Sequence, residues 1–294
     1  MQPTLPDRPD QVLEDILATT RFIDVHTHLF QPSLDGLCLW GIDELLTYHY
    51  LEAELFRSSR VTPAEYWPMP LNRKADLIWR TLFIENTPVS EATRGVIAVL
   101  AAFGLPTAAA DLREARKFFA SQEFDKHIDR VFELAGIDQA VMTNDPLDPR
   151  EGPLWKRGIE RDSRFHPVLR LDRILNQWPA HWQALAAEGY RVDESLSGRS
   201  TAEVRRFLAD WYGRMRPVYL AVSLPDSFAY PEDSARGKLL KEAVLPACVE
   251  SGAPLSLMIG VRYQVNPALR LAGDAVGRAD LRSIEGLCSE HPDN

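Results

Sequence analysis

The sequence predicts an α/β protein: parallel strands covered by helices, interrupted early by an all-helical stretch. Three observations predict it. A short aromatic and β-branched run, Phe22-Ile-Asp-Val-His-Thr-His-Leu-Phe, lies near the N-terminus. Residues 41 to 135 then carry helical spacing with no convincing strand. After Gly136 the rhythm becomes strand then helix, repeatedly, which implies parallel strands joined by crossover helices.

The elements follow in order. Asp10-Gln-Val-Leu-Glu-Asp-Ile-Leu spaces its apolar residues for a short helix. Phe22–Leu29 reads as the first, buried strand. Ile42–Phe56, Asn72–Ile84 and Pro88–Phe103 read as three helices, the last with Pro88 in its first turn and Gly104 at its end. Thr107–Leu134 gives one or two more. Gln139–Thr143 and His166–Leu171 are the second and third strands, and a Trp-rich helical stretch begins at Arg173. Val218–Leu224 is the fourth strand, Ser234–Glu250 a helix and Leu255–Ile259 the fifth strand. A last helix starts at Ala279, and the chain closes on His-Pro-Asp-Asn.

Composition narrows the classes. The 294 residues hold 33 Lys plus Arg against 42 Asp plus Glu, a formal charge of −9. That balance opposes a nucleic-acid binder, which needs a basic face. No apolar window approaches the ~18 residues of a membrane span, and Met1 to Glu14 lack the basic start and apolar run of a signal peptide. Cys38, Cys248 and Cys288 are few, scattered and without CxxC spacing, so they fit reduced thiols and a cytoplasmic protein.

His26 and His28 stand at the C-terminal end of the first strand. Alternate strand residues share a face, so both imidazoles can hold one divalent ion such as Zn²⁺. Read alone, the pair fits packing histidines better. Parallel α/β folds build their sites at strand C-termini, which brings the functional reading close to level with it.

Ile23-Asp-Val-His-Thr-His resembles the first-strand signature of the amidohydrolase superfamily, metal-assisted enzymes on a (β/α)8 TIM barrel. Leu45-Leu-Thr-Tyr-His-Tyr-Leu is similar to the His-Tyr pair of the uronate (glucuronate) isomerase family. Ala75-Asp-Leu-Ile-Trp-Arg-Thr-Leu-Phe and Pro88-Val-Ser-Glu-Ala-Thr-Arg-Gly-Val resemble that family's helical insertion. Thr143-Asn-Asp-Pro resembles its second-strand turn, and Val168-Leu-Arg-Leu-Asp-Arg its third strand. The likeness runs from about Phe22 to Gly277, and the order and spacing of the motifs carry it. The implied division is a barrel part, 1–35 and 136–294, and a helical lobe, 36–135. The family's fifth-strand histidine is replaced by Met258, a poor ligand for a borderline ion.

The resemblance implies an aldose–ketose isomerase acting on a uronic acid of the glucuronate/fructuronate type. His26 and His28 would hold the metal, with zinc bound weakly or not at all because Met258 is no substitute. His49 and Tyr50 would reach over from the helical lobe to bind sugar oxygens or move protons. Arg170 would meet the substrate carboxylate through its planar fork, with Arg262 a second anion contact. Asp226 would be the fourth-strand catalytic aspartate. Each has a plainer reading: an aromatic helix face for His49 and Tyr50, an Asp172 ion pair for Arg170, a turn or cap for Asp226. Asp145 and Asp148 read as turn residues flanking Pro146. The partner is a small sugar acid, with no nucleic acid or membrane, and a homo-oligomer is left open.

Two rivals remain, a metal-dependent hydrolase of the same superfamily and a non-catalytic relative. A closed barrel needs eight strands and typically about 250 residues outside insertions. Only five strands are legible here, so the expectation is the N-terminal two-thirds of a longer protein, with weak activity by itself.

Overall fold

The computed structural model describes residues 8–292; part of the Met1-to-Glu14 reading and the closing Asp-Asn lie outside them. Helix α1, Pro9–Thr19, leads into β1, Phe22–Thr27. Between β1 and the next strand every described regular element is helical. The α-helices are α2 (Ile42–Leu46), α3 (His49–Ser58), α4 (Pro63–Tyr66), α5 (Leu71–Trp79), α6 (Glu91–Ala102), α7 (Arg113–Ala120) and α8 (Phe124–Ala135), with a 3-10 turn over Pro32–Leu37 and a π-helical turn over Arg80–Ile84. Ile42, Leu46, Tyr66, Ile78, Trp79 and Leu100 form the core of this stretch.

Then β2 (Ile137–Met142), α9 (Glu151–Arg157), β3 (Phe165–His166), β4 (Leu169–Arg170), α10 (Asp172–Asn176), α11 (Trp178–Ala187) and α12 (Ser200–Met215) follow. β5 (Leu220–Pro225) leads to α13 (Ala235–Leu239), which runs through a π-turn into α14 (Leu245–Ser251). β6 (Leu255–Arg262), β7 (Ala275–Val276) and α15 (Leu281–Glu290) close the described chain.

The strands lie in chain order, β1-β2-β3 and β4-β5-β6-β7, and all pairs are parallel except β6–β7. A parallel bridge between Asn144 and Leu169 joins the two sheets, with the Arg170 amide donating to the Asn144 carbonyl at 2.8 Å. The expected strand His166–Leu171 is thus two short ones. Pro167 sits between them and has no amide to give a ladder.

Strand residues alternate between two environments. Ala140, Met142, Leu169, Leu171, Leu220, Val222 and Leu224 join the large core beneath the helices. Val141, Val168 and Ala221 point the other way and form a small inner cluster with Tyr219 and Met258. The Tyr219 hydroxyl donates to the Val25 carbonyl at 2.7 Å. In a flat sheet β5 would stand about 14 Å from β1, three strand spacings away. A tyrosine cannot bridge that, so the sheet curls with the inner cluster on its concave side. It is not a closed barrel among the described residues.

Several boundaries differ from expectation. The helix expected over Ile42–Phe56 is two, broken at Thr47 and the extended Tyr48 (φ −68°, ψ 139°). Thr47 Oγ1 turns back to donate to the Asp43 carbonyl at 2.8 Å, which closes α2. The helix expected from Pro88 starts at Glu91, capped by Ser90 Oγ, which accepts from the Thr93 amide at 3.1 Å. β1 ends at Thr27, short of Leu29. The sequence reading had no counterpart for α4, α9, α12 or β7.

Candidate active site

The inner face continues upward at the strand C-terminal ends. The alternation that sends Val141, Val168 and Ala221 inward also sends Thr143, Arg170 and Ser223 inward. They meet His26, His28 and Met258 around a cavity of about 610 Å³, within the usual range for a small-molecule site. Tyr50, Tyr263, Asp145, Asp148, Glu151, Asp172, Arg173 and Asp274 also line it.

The His26 and His28 rings stand edge to face, 5.7 Å between centroids. Thr143 Oγ1 lies 3.3 Å from His28 Nδ1 and fixes that ring. Burial lowers the proton affinity of both imidazoles, and Arg170 lowers it further. His28 also feels His26 and His49. Both rings are therefore neutral near pH 7, able to donate from one nitrogen and accept at the other.

The break at Tyr48 brings the helical lobe to this site. The Tyr48 ring lies 6.5 Å from His28 and 4.4 Å from His49, and His49 lies 4.2 Å from Tyr50. Tyr50 lines the cavity and is 61% exposed, so its ring reaches into open space. His49 sits beside it, outside the lining, its proton affinity lowered by burial and partly restored by Asp274.

Arg170 is both paired and poised. Its Nε donates to Asp172 Oδ2 at 2.7 Å and its Nη2 to Ser223 Oγ at 3.1 Å. Nη1 is left for a ligand. The plainer reading of Arg170 and its placement in the cavity hold together. The Asp172 carboxylate holds the charge on Arg170 despite burial, and it also accepts from the Ser223 amide at 3.1 Å, tying α10 to β5.

Beside it, the turn after β2 carries Asp145 and Asp148, both 3.2 Å from Arg173. Asp148 accepts from the Arg150 and Glu151 amides, starting α9. These turn residues also line the cavity. Beneath them Glu151, 4% exposed, takes Asn144 Nδ2 at 2.6 Å, Trp155 Nε1 at 2.9 Å and the Asp145 amide at 2.9 Å. Burial outweighs these three donors and pushes its carboxyl up to about 7.

Asp226 and Arg262 are not brought into this cavity. They face each other at 3.3 Å beside Gly277, where a Cβ would overlap the Asp226 carboxylate. The ends of β5 and β6 carry these two side chains past the inner row, and each finds its opposite charge there.

Glu151, Tyr263 and Asp274 were missed by sequence reasoning. Tyr263 and Asp274 flank the β6–β7 connection, which crosses to the helical lobe. There Trp67 Nε1 donates to the Ala268 carbonyl at 2.8 Å, and the Arg270 guanidinium lies 4.4 Å over the Trp67 ring. No local spacing marks such residues. Glu151 stands three residues after Asp148, a helix-start pattern that signals an N-terminus and not a site.

The resemblance implies a divalent ion. His26 and His28 are suitable donors, but Met258 stands at the third position. Among the described residues no group of three or more His, Cys, Asp or Glu side chains is placed to hold a metal. Zinc sites draw three or four protein donors, so the residues present do not fit one.

No family model matches the chain, and no curated protein does. Solved structures do. A uronate isomerase from Bacillus halodurans C-125 is 43% identical, with a TM-score of 0.93 over 99% of this chain and 69% of that one. A glucuronate isomerase from Caulobacter crescentus is 13% identical, covering 97% of this chain and 70% of that one, with a TM-score of 0.66. A uronate isomerase from Thermotoga maritima is 16% identical, covering 98% and 72%, with a TM-score of 0.60. The last two likenesses show a shared fold alone. Shared sequence over nearly all of this chain and more than two-thirds of the Bacillus halodurans protein establishes what the motifs suggested: the chain belongs to the uronate isomerase family.

Proposed function

We propose that this protein interconverts an aldose uronic acid and its ketose isomer, of the glucuronate/fructuronate type. The observation that carries the reading is the 43% identity to a uronate isomerase across 99% of the chain. The cavity chemistry agrees with it. Isomerisation moves a proton from the hydroxyl-bearing carbon beside the carbonyl to the carbonyl carbon, through an enediol. Meanwhile the hydroxyl proton passes to the former carbonyl oxygen.

A reaction of this kind needs a cation for the carboxylate, a base that takes the carbon-bound proton and returns it to the neighbouring carbon, and groups that exchange protons with the two adjacent oxygens. Arg170 presents Nη1 to the carboxylate. From the lobe side His49, whose proton affinity burial lowers, carries the carbon-bound proton, and Tyr50 exchanges protons with the sugar oxygens. His26 and His28, neutral, hold the same oxygens from the strand side. The parallel strand order and the curl support a (β/α)8 framework of the amidohydrolase type, to which this chain gives five strands, with 36–135 as the lobe above it.

The test is turnover of glucuronate in deuterated water, followed by NMR. The expected result is conversion with solvent deuterium exchanged at the reacting carbons. Arg170→Met should raise KM more than it lowers kcat, and Tyr50→Phe should lower kcat with little change in KM. Folded protein inert towards both glucuronate and galacturonate would overturn the reading.

A further inference from the structure

A second chamber, of about 360 Å³, lies apart from the sugar site, between α6, α8 and residues 38–41. The segment 29–38 separates the two. Phe30 and Leu37 face the polar cavity, while Leu29 and Cys38 face the chamber. The chamber's walls carry no carboxylate, ammonium or guanidinium among the described residues. They are rings and aliphatic groups, with the Cys38 thiol and one imidazole, His127.

That imidazole is oddly placed for a packing residue. His127 is 8% exposed and stacked on Phe103 at 4.9 Å, with Trp40 edge-on at 4.6 Å. Its Nδ1 is buried with no hydrogen-bond partner. A buried polar atom left unpaired costs on the order of 1–3 kcal/mol, and an apolar ring would fill the same space without that cost. Burial keeps the imidazole neutral, so it carries one N–H and one bare nitrogen. Nδ1 is sealed off as the ring stands, and a half-turn about χ2 exchanges the positions of the two nitrogens with those of the ring carbons.

The ligand chemistry follows from the walls. A charged group would enter an apolar space with no counter-ion. An aromatic ring matches the aromatic lining. A hydroxyl can donate to the bare nitrogen or accept from the N–H, so it satisfies either tautomer. We propose that this chamber is a binding site for an uncharged, single-ring aromatic alcohol, its ring among Trp40, Phe103 and Phe124 and its hydroxyl on the His127 imidazole. The proposal does not depend on the isomerase reading, because the chamber is walled off from that site.

Phenol and toluene are the probes, titrated into the full chain by calorimetry, with the His127 ring nitrogens followed by NMR. Phenol should bind saturably at one site, about fivefold tighter than toluene, the worth of one net hydrogen bond, and should shift the His127 resonances. His127→Phe should bind toluene within about twofold of the parent and lose the preference for phenol. Unsaturable phenol binding, His127 resonances that do not move, or a phenol preference retained in His127→Phe would each overturn the proposal. The resonance measurement uses the parent protein and decides the matter even if the variant does not fold.

Discussion

Glu151 shows how one side chain can set a stability profile. Its carboxyl rises from the ordinary 4.5 to about 7 because burial outweighs three donors. Between those values the native chain keeps a proton that the unfolded chain has released. More protons bound to the native state means stability falls as pH rises through that window. The swing is of order 3 kcal/mol, complete above about pH 7. Glu151→Gln cannot titrate, so urea unfolding at pH 5 and pH 8 should show this share of the dependence gone. An unchanged difference between the two pH values would mean Glu151 is not its source. Met258 is a second case. Met258→His adds a nitrogen donor beside His26 and His28, and should tighten zinc binding about tenfold or more, measured against a competing chelator. Equal affinity in both proteins would place the two histidines outside any metal site.

At the scale of elements, junctions matter more than interiors. α8 hands the chain to β2 through Gly136, at φ +64°, a left-handed turn that ends the helix and aims the strand. A Cβ there would meet Phe22 Cδ2 and the Thr20 carbonyl oxygen at 3.8 Å, ordinary contact. Gly136→Ala should therefore cost the backbone term alone, about 1 kcal/mol in denaturant unfolding. A loss of several kcal/mol would reveal a steric clash instead. The Thr47–Tyr48 break matters in another way: an unbroken α2–α3 helix would carry Tyr48, His49 and Tyr50 off in another direction. The break therefore decides whether the helical lobe contributes to the site.

At the scale of the molecule, curl brings distant strands together. The Tyr219 hydroxyl, reaching from the start of β5 to the Val25 carbonyl, is a direct link across the concave side. Tyr219→Phe keeps the ring in the inner cluster and removes that link. The expected loss is about 1 kcal/mol, because one net hydrogen bond disappears and the Val25 carbonyl can turn to water. Hydrogen exchange should speed up in β1 more than in β6. Uniform change along both strands would show that the bond does not hold the curl.

The amino-acid sequence by itself determined the local pattern. Short apolar, β-branched runs marked five strands, and helical spacing marked the stretch between β1 and β2. His26 and His28, two apart on one strand, were legible as a shared-face pair. Such features depend on neighbours along the chain, which any reader of the sequence can see. Their order and spacing pointed to the uronate isomerase family before any fold was known. Tertiary structure alone decided which distant side chains meet. It drew Glu151, Tyr263 and Asp274 to the cavity, and let Asp226 and Arg262 neutralise each other outside it. It opened a chamber around His127, a residue that local spacing marks only as one face of α8. Convergence of this kind depends on sheet curl, on where strands stop and on how loops cross. Those depend on packing between segments that are not neighbours along the chain, which local periodicity does not encode.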